Sequence, residues 1–267
     1  MERIPLKYIL TFSYKGTNYS GWQLQPKSLS VQSVINQSLQ LLLKEDIITF
    51  GAGRTDKGVH ASFFTAHFTS YNEMPEKDEN FLFRLNRILP KDIFVYSVKK
   101  TLNNFHARYS AISRTYQYIV ARKKTCFFNE FSTYIYGELD IESMNKAAMI
   151  LKEYDDFTSF ARLYGSPGTN ICKIIESEWT EINGFLIYKI TANRFLRNMV
   201  RAIAGTMLEI GTGKRDIQEF RDVIEKKDRS AAGKSADAKG LFLTDITYPE
   251  EFGIEKIRQD FPGFLII

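Results

Sequence analysis

The sequence predicts an α+β fold, in which helices are combined with a sheet that is either mixed or antiparallel. Segments with the period-two alternation of strands and segments with the spacing of amphipathic helices are interleaved along the chain. Within that order, Asn183-Gly184 separates two strand-like runs, and this dipeptide is a strong short-range signal for an antiparallel hairpin. The 267 residues are 44% hydrophobic, so the chain can bury a substantial core as one large domain or two halves.

The first part of the chain has the pattern of a mixed α/β unit. Apolar and polar residues alternate over most of residues 6–13, which predicts a strand. A helix is predicted after Ser28 or Ser30, either of which could cap it, and a second helix runs from Asp78 to a stop at Pro90. Further short strands are predicted at residues 47–50, 63–68 and 93–98.

The second part of the chain continues the same alternation of elements. Asp140 and Asp216 stand where helix N-caps belong, and Glu219 follows Asp216 at the spacing of a capping box. Patterning places a division near residue 110, which gives an amino-terminal half of residues 1–110 and a carboxy-terminal half of residues 111–267. In the second half the predicted helices begin at Ile141, about Phe195 and Asp216, and the predicted strands cover residues 114–120, 175–182, 185–192 and 241–248.

Cysteine and histidine usage argues against a metal enzyme. Cys126 and Cys172 have neither metal-ligand nor redox-pair spacing, so we expect two reduced thiols in the core. The three histidines, His60, His67 and His106, form no cluster with ligand spacing. We therefore expect neither a metal ion nor a cofactor.

Charge and hydropathy bear on the partner and the compartment. Thirty-six Lys and Arg against thirty-one Asp and Glu give a net charge of +5, which is compatible with a nucleic-acid partner but does not require one. The amino terminus lacks the apolar stretch of a secretory signal, and no run of apolar residues is long enough to cross a membrane. We therefore expect a soluble, cytoplasmic protein with no membrane partner.

The most informative segment is Gly-Ala-Gly-Arg-Thr-Asp-Lys-Gly-Val-His-Ala, residues 51–61. It places Asp56 in a turn flanked by glycines, which permit sharp bends and a close approach of the backbone to a ligand. Arg54 precedes the acid by two residues, and a guanidinium there can keep a carboxylate ionised or hold a phosphate. For the Arg-x-Asp fragment alone, an ordinary Asx-turn with a surface ion pair is the commoner interpretation.

The whole segment resembles the signature of the TruA family of tRNA pseudouridine synthases. Further blocks resemble that family in its own order, from about residue 8 to residue 248, so the resemblance covers nearly the whole chain. These blocks are residues 14–25, 105–108, 114–118, 156–160, 195–201 and 240–243.

The resemblance implies a fold, a substrate and an assembly. Members have two similar mixed α/β halves, each a largely antiparallel sheet with helices, which flank a central positively charged active-site cleft. They isomerise uridine to pseudouridine at positions 38 to 40 of the tRNA anticodon stem-loop, and they act as homodimers in which one tRNA contacts both subunits. The target base must leave its stack to reach a recessed residue.

The resemblance also implies the roles of individual residues. Asp56 corresponds to the nucleophile, which attacks either ribose carbon 1 or uracil carbon 6. A desolvated carboxylate needs a nearby cation to remain ionised, and Arg201 corresponds to the arginine that pairs with it. Tyr116 corresponds to the tyrosine that stacks on the uracil, Leu241 to an apolar residue that lines its pocket, and Arg54 to a residue that holds or displaces the flipped nucleotide.

Other residues in the motifs have simpler expected roles. Arg194, Arg197 and Arg201 are spaced to share one helix face, and a solvated basic stripe is the usual interpretation of that spacing. Arg194, Arg197 and Lys57 are candidate contacts to the RNA backbone, and Lys57 stands where alanine is frequent in the family. For Tyr118, His60 and His106 we expect packing or structural roles.

Two alternatives to this enzyme would make different demands on the same residues. A non-catalytic RNA-binding module would use the aromatic strand for stacking and the basic helix for phosphate contacts. Such a module has no use for a carboxylate at the centre of an anionic ligand's site, so the complete motif around Asp56 favours catalysis. A phosphate-binding loop is excluded because residues 51–58 contain no Gly-Lys-Ser/Thr.

Overall fold

The computed structural model describes residues 4–162 and 169–256, which divide between two compact units. The first unit contains residues 4–112 and 243–256, and the second contains residues 113–162 and 169–242. This division differs from the predicted one, because the chain from residue 243 packs with the first unit. The Tyr248 hydroxyl donates a hydrogen bond to the Ala107 carbonyl at 2.6 Å, and the Phe252 ring lies 4.9 Å from that of Phe105.

The first unit is a layer of antiparallel strands with helices. Its central strand pairs antiparallel with a strand on each side, in register at Leu10 with Ala66 and with Val98. The first helix buries one face, with Val31, Ile35 and Leu39 fully buried, and Ser30 caps it by accepting the Ser33 amide. The elements are β1 (Leu6–Tyr14), α1 (Val31–Leu43), β2 (Phe50–Gly51), β3 (His60–Ser70), α2 (Met74–Lys77), α3 (Phe81–Ile88) and β4 (Ile93–Lys100).

The strand predicted over residues 47–50 is mostly wrong, and side chains of α1 supply the reason. The Thr49 amide donates to Asn36 Oδ1 at 3.0 Å, and the Thr49 carbonyl accepts from Gln32 Nε2 at 2.6 Å. The Ile47 carbonyl accepts from Gln40 Nε2 at 3.1 Å. The backbone of residues 47 and 49 is therefore satisfied by polar side chains of a helix, and β2 begins only at residue 50.

In its described residues, the second unit combines three long antiparallel strands with three α-helices. β5 (Ser113–Ala121) pairs antiparallel with β8 (Phe185–Ala192), which pairs antiparallel with β7 (Ile174–Ile182). The short strand β6 (Thr133–Tyr134) runs parallel to β5. The hairpin is confirmed, since Asn183 and Gly184 both have positive φ, 52° and 81°, as a type I′ turn requires. The helices are α4 (Ile141–Ile150), α5 (Met199–Gly211) and α6 (Ile217–Lys226), and the boundary between the units falls within β9 (Leu241–Thr247).

The predicted helix caps of this unit are also confirmed. Asp140 accepts the Ser143 amide at 2.9 Å at the start of α4. At the start of α6, Asp216 accepts the Glu219 amide at 2.7 Å while the Glu219 carboxylate accepts the Asp216 amide at 2.8 Å. Both ends of this capping box are therefore satisfied, as the spacing indicates.

The helix predicted from Phe195 begins four residues later, at Met199. Asn198 has a φ of 66°, a left-handed conformation that an α-helix cannot contain, so the helical geometry starts after it. As a consequence Arg194 and Arg197 precede α5, and the prediction that they share a helix face with Arg201 is wrong.

The cysteine prediction is correct for one residue only. Cys172 is fully buried, and burial raises the pKa of its thiol to about 11, so it is an unreactive core group. Cys126 is exposed, in the loop that follows β5. Both are free thiols. No helix in the described parts of the chain combines the length and apolarity needed to cross a membrane.

Candidate active site

Asp56 lies in the loop between β2 and β3 of the first unit. It is half-buried, and its carbonyl accepts a hydrogen bond from the Val59 amide at 3.1 Å, which closes a tight turn. Gly58 lies within that turn with a φ of 80°, a conformation that glycine adopts without steric strain. The carboxylate is therefore carried by a short turn whose backbone conformation is set locally.

Thr55 fastens this turn to the sequence block at residues 14–25. Its buried Oγ1 accepts a hydrogen bond from the Trp22 amide at 3.1 Å and shares another with the Tyr14 hydroxyl at 2.8 Å. A second link joins the Gly58 amide to the Tyr19 carbonyl at 3.3 Å. Two motifs that are separate in sequence thus form one local structure around Asp56.

Glycines let the backbone of residues 14–25 approach that of residues 51–61 more closely than any side chain would permit. A Cβ at Gly21, where φ is 89°, would lie 2.1 Å from the Thr55 carbonyl oxygen. A Cβ at Gly16 would lie 2.0 Å from the Val59 carbonyl oxygen. Gly53 differs, since a Cβ there would meet nothing within 4 Å. The close approach is therefore made on both sides of Asp56, at residues 55 and 59.

Asp92, at the end of the loop before β4, holds the amino-terminal block from its other side. Its carboxylate accepts hydrogen bonds from the Tyr19 hydroxyl at 2.5 Å and from Asn18 Nδ2 at 3.1 Å. Its carbonyl accepts the Lys15 amide at 2.8 Å. Because Tyr19 in turn accepts the Gly58 amide, Asp92 supports the turn that carries the candidate nucleophile.

The basic residues of this loop are exposed. Arg54 Nε donates a hydrogen bond to Gln23 Oε1 at 2.8 Å, so the guanidinium is oriented by the same amino-terminal block. Lys57 is exposed next to Asp56 in the chain. These two cations border the carboxylate in sequence and can contact an anionic backbone from the solvent side.

The histidines in the motifs have the structural character that the sequence predicts. His60 is buried, and its Nδ1 accepts the Gly16 amide at 3.0 Å, which requires an unprotonated nitrogen there. His106 Nδ1 accepts the Arg108 amide at 3.1 Å, and burial lowers the pKa of this ring. Both rings therefore have structural roles, in which Nδ1 accepts a backbone amide.

In the second unit, Tyr116 lies in β5 opposite Ile190 of β8. Its ring is buried and meets the Phe195 ring edge-on, with centroids 5.1 Å apart. Tyr118 is fully buried, its hydroxyl shares a hydrogen bond with Thr133 Oγ1 at 2.7 Å, and burial raises its pKa to about 12. Tyr118 is thus a packing residue, as predicted, and Phe195 orients the ring of Tyr116.

Arg201 lies in the first turn of α5 and is half-buried. Its Nε donates to the Ala236 carbonyl at 2.8 Å, and the Ala236 amide donates to the Arg201 carbonyl at 2.9 Å. The residue is therefore held from its backbone and its side chain by one segment, residues 232–236. Arg194 is half-buried and Arg197 exposed in the loop that precedes the helix.

Segment 232–236 is itself closely fitted to α5. A Cβ at Gly205 would lie 1.9 Å from the Lys234 carbonyl oxygen, so the segment passes directly over this glycine. Arg229 donates to the carbonyls of Ala232 and Gly233 and to Ser235 Oγ. Asn198 Nδ2 also donates to Ser235 Oγ, at 2.7 Å. These bonds fix the carbonyl that orients the Arg201 guanidinium.

Leu241 is the buried first residue of β9. Gly240 precedes it, and a Cβ there would come within 2.9 Å of the Ile119 carbonyl oxygen and 3.0 Å of the Tyr118 ring. The Gly-Leu pair of the last motif is therefore seated on β5, the strand that also carries Tyr116. Within this unit, the structure thus brings the elements carrying Leu241 and Tyr116 together.

Comparison with known proteins is decisive for the family. The model of a family described as tRNA pseudouridine synthase matches residues 150–249. A tRNA pseudouridine synthase A from Bacteroides thetaiotaomicron is 45% identical over 256 residues, which cover 95% of this chain and 94% of the relative. The enzyme of that name from Parabacteroides distasonis is 47% identical over 92% of this chain and 97% of its own. The one from Yersinia pseudotuberculosis is 36% identical over 97% of this chain and 98% of its own.

The chain belongs to the tRNA pseudouridine synthase A family. Membership makes it an isomerase, a pseudouridine synthase of the TruA type. The family resemblance of the individual sequence blocks acquires a structural meaning, because residues 14–25 and 51–61 pack on each other through Thr55, Gly16 and Gly21.

Three supporting residues of this synthase were missed by sequence reasoning. Thr55 lies inside the signature, but only the fold shows that its hydroxyl joins two motifs. Asp92 and Arg229 lie outside the motif blocks, and their roles come from contacts with residues distant in sequence. Its position beside Asp56 in the signature could have indicated Thr55, whereas no sequence feature indicated Asp92 or Arg229.

Two further features of this synthase concern ligand binding: the grouping of possible metal ligands and an open cavity. Among residues 4–162 and 169–256, no three His, Cys, Asp or Glu side chains are grouped so that they could hold a metal ion. One open cavity, of about 670 Å³, lies beside the N-termini of α4 and α6 and is lined by Asp140, Lys214 and Asp216 among others. It contains none of the candidate site residues.

Proposed function

We propose that this chain converts uridine to pseudouridine at positions 38 to 40 of the tRNA anticodon stem-loop, with Asp56 as the nucleophile. The observation that carries the proposal is the half-buried Asp56 at the head of a turn that two family motifs hold through Thr55. The names of relatives that align over more than nine-tenths of the chain support tRNA as the substrate.

The reaction is an isomerisation that one carboxylate can carry out. The bond between ribose carbon 1 and uracil N1 breaks, the base turns, and ribose carbon 1 bonds to uracil carbon 5. Asp56 forms a transient covalent bond to ribose carbon 1 or to uracil carbon 6. Carbon 5 then loses its proton and N1 gains one, so neither a second substrate nor a change of oxidation state is required.

Residues of the second unit complete the proposed chemistry. Arg201 is proposed to pair with the Asp56 carboxylate as the family resemblance implies, and segment 232–236 orients its guanidinium. Tyr116 stacks on the uracil, held by the Phe195 ring, and its hydroxyl serves proton removal from carbon 5. Leu241 lines the pocket with an apolar surface. These assignments follow the family resemblance, and the local packing of each residue is consistent with them.

Binding requires that the target uridine leave its stack, which costs a few kcal/mol. Arg54, oriented by Gln23, is proposed to hold or displace the flipped nucleotide. Lys57, Arg194 and Arg197 are proposed contacts to the phosphate backbone, which make binding dependent on salt. The net charge of +5 favours an anionic partner.

The family resemblance supplies further parts of this proposal. Two similar halves around a positively charged active-site cleft, a homodimer that binds one tRNA across both subunits, and a cytoplasmic location all remain predictions. A reaction without metal or cofactor is proposed on the chemistry above, since an isomerisation driven by one carboxylate needs neither.

The proposal is tested by incubating the purified protein with unmodified tRNA transcripts and mapping pseudouridine at nucleotide resolution. A matched set of transcripts carries cytidine in place of uridine at positions 38, 39 and 40. We expect pseudouridine at one or more of these positions and none in the cytidine transcripts. Modification confined to other parts of the tRNA would contradict the assigned target, and no modification at all would contradict the activity.

A further inference from the structure

Four aromatic rings of the first unit form a continuous row, which we call the ring row: Phe50, His67, His106 and Tyr109. Phe50 stacks on His67 with centroids 5.3 Å apart and an interplanar angle of 23°. His67 meets His106 edge-on at 4.7 Å, and His106 lies 4.4 Å from Tyr109. Neither Phe50 nor Tyr109 has a role in the proposed chemistry, although Phe50 directly precedes the loop that carries Asp56.

Hydrogen bonds hold the turn at residues 106–110, which carries His106 and Tyr109. The Ala107 amide donates to His67 Nδ1 at 3.1 Å, and the Arg108 amide donates to His106 Nδ1 at 3.1 Å. The His106 amide donates to Ser110 Oγ at 3.0 Å, and the Ser110 amide donates back to the His106 carbonyl at 2.9 Å. The inner rings are therefore fixed by their own nitrogens, and the turn places Tyr109 beside His106.

The two ends of the row face solvent. Tyr109 is 75% exposed and Phe50 is 51% exposed. The Arg108 guanidinium lies 5.5 Å from the centre of the Tyr109 ring, at cation–π distance. An exposed ring accompanied by a guanidinium is the arrangement on which proteins stack unpaired nucleobases, because the ring provides a face and the cation attracts phosphate.

The inner histidines carry no charge at neutral pH. Burial, followed by the nearby His106 and Lys7, lowers the pKa of His67 to about 4. Burial and Lys7 also lower the pKa of His106. Lys7 Nζ donates to the Phe105 carbonyl at 2.9 Å, so this cation supports the turn from the inside. The row is thus an uncharged aromatic body with Arg108 at its outer end.

We propose that the ring row is a stacking platform for an unpaired base of the RNA substrate, received on Tyr109 or Phe50, with Arg108 contacting the adjoining phosphate. The platform deepens the proposed function, because the RNA is taken to be the tRNA on which Asp56 acts. Its size favours a base over a protein surface: two aromatic side chains bury roughly 150–250 Å² each. A stable protein interface needs about 800 Å² from each partner.

The test measures the dissociation constant for an unmodified tRNA transcript over a series of salt concentrations. Tyr109→Ala should weaken binding by roughly fivefold to 150-fold, which corresponds to the about 1–3 kcal/mol of base–aromatic stacking. Tyr109→Phe keeps the ring and should bind within about twofold of the unmutated protein. Tyr136→Ala, at a tyrosine 88% exposed in the second unit, is the matched control and should leave affinity unchanged.

The salt dependence of tRNA affinity distinguishes the contribution of the Tyr109 ring from that of the Arg108 guanidinium. Stacking releases no counterions, so Tyr109→Ala should lower affinity without changing the slope of log affinity against log salt. Arg108→Gln should reduce that slope by about 0.7–0.9 if the guanidinium contacts one phosphate. The same proteins should bind a continuous duplex with little dependence on Tyr109, because its bases are not available for stacking.

Three outcomes would overturn the platform. They are unchanged tRNA affinity in Tyr109→Ala, equal losses in Tyr109→Ala and Tyr109→Phe, and conversion of a dimer to a monomer by Tyr109→Ala in sedimentation, which would make this face an interface between copies. Pseudouridine formation by the unmutated protein is measured in parallel. If that activity is present while Tyr109→Ala binds normally, the platform alone is refuted. If activity is absent while binding depends on the ring, the proposed function alone is refuted.

Discussion

Replacing Thr55 by valine tests whether the two motif blocks must be joined for the turn at Asp56 to function. Valine has nearly the same shape as threonine, but it lacks the hydroxyl that accepts the Trp22 amide and pairs with the Tyr14 hydroxyl. Thr55 and Trp22 are both buried, so the Trp22 amide loses its acceptor in a place that solvent does not reach. A stranded buried donor costs about 1–3 kcal/mol.

The expected result is a lower free energy of unfolding and slower turnover. Urea titration of Thr55→Val should show a loss of about 1–3 kcal/mol with an unchanged m-value. Single-turnover rates at saturating tRNA should fall, because the turn that carries Asp56 is no longer fastened to residues 14–25. Thr55→Ser keeps the hydroxyl and is the matched control. If the free energy of unfolding of Thr55→Val lies within about 0.5 kcal/mol of that of the unmutated protein and turnover is normal, the hydrogen bonds of Thr55 are not what positions Asp56.

Two further predictions concern the charge and the chemistry of the site. Arg201→Met should slow turnover at saturating tRNA, because the carboxylate loses its proposed cationic partner. Arg197→Met should instead weaken tRNA binding and reduce its salt dependence, with turnover nearly normal. A normal single-turnover rate for Arg201→Met would move this residue to the RNA-binding surface. Activity should survive EDTA when the tRNA is folded in monovalent salt, since the isomerisation requires no activated water; loss that only zinc or another transition metal restores would contradict this.

Local signals in the sequence predicted much of the fold. Asp216 with Glu219, and Asn183 with Gly184, act through neighbouring backbone groups, so their caps and turn are correct as predicted. The predicted start of α5 was wrong, because the pattern of apolar residues does not reveal that Asn198 adopts a left-handed conformation. The strand predicted over residues 47–49 was wrong, because the hydrogen-bond partners of this backbone are side chains of α1 rather than a neighbouring strand.

In the candidate site too, the sequence predicted some features, whereas others depend on contacts between distant residues. The motif around Asp56 and the family resemblance indicated which residues to consider, and His60 and Tyr118 have the packing roles expected of them. The supports of the site depend on pairs far apart in the chain, such as Asp92 with Tyr19. The same is true of Arg229, whose contacts fix the segment that orients Arg201. Such pairs appear only when the fold brings them together.

The central claim is that Asp56 is the nucleophile, and the rate of pseudouridine formation by Asp56→Asn tests it most directly. Asparagine has almost the same shape but cannot form the covalent intermediate, while the surface that binds the RNA backbone is unchanged. We expect the single-turnover rate at saturating tRNA to fall by at least about a thousandfold, with tRNA affinity largely retained. Asp46→Asn, at an exposed aspartate outside the site, should match the unmutated protein. An Asp56→Asn rate within about tenfold of the unmutated protein would contradict the account.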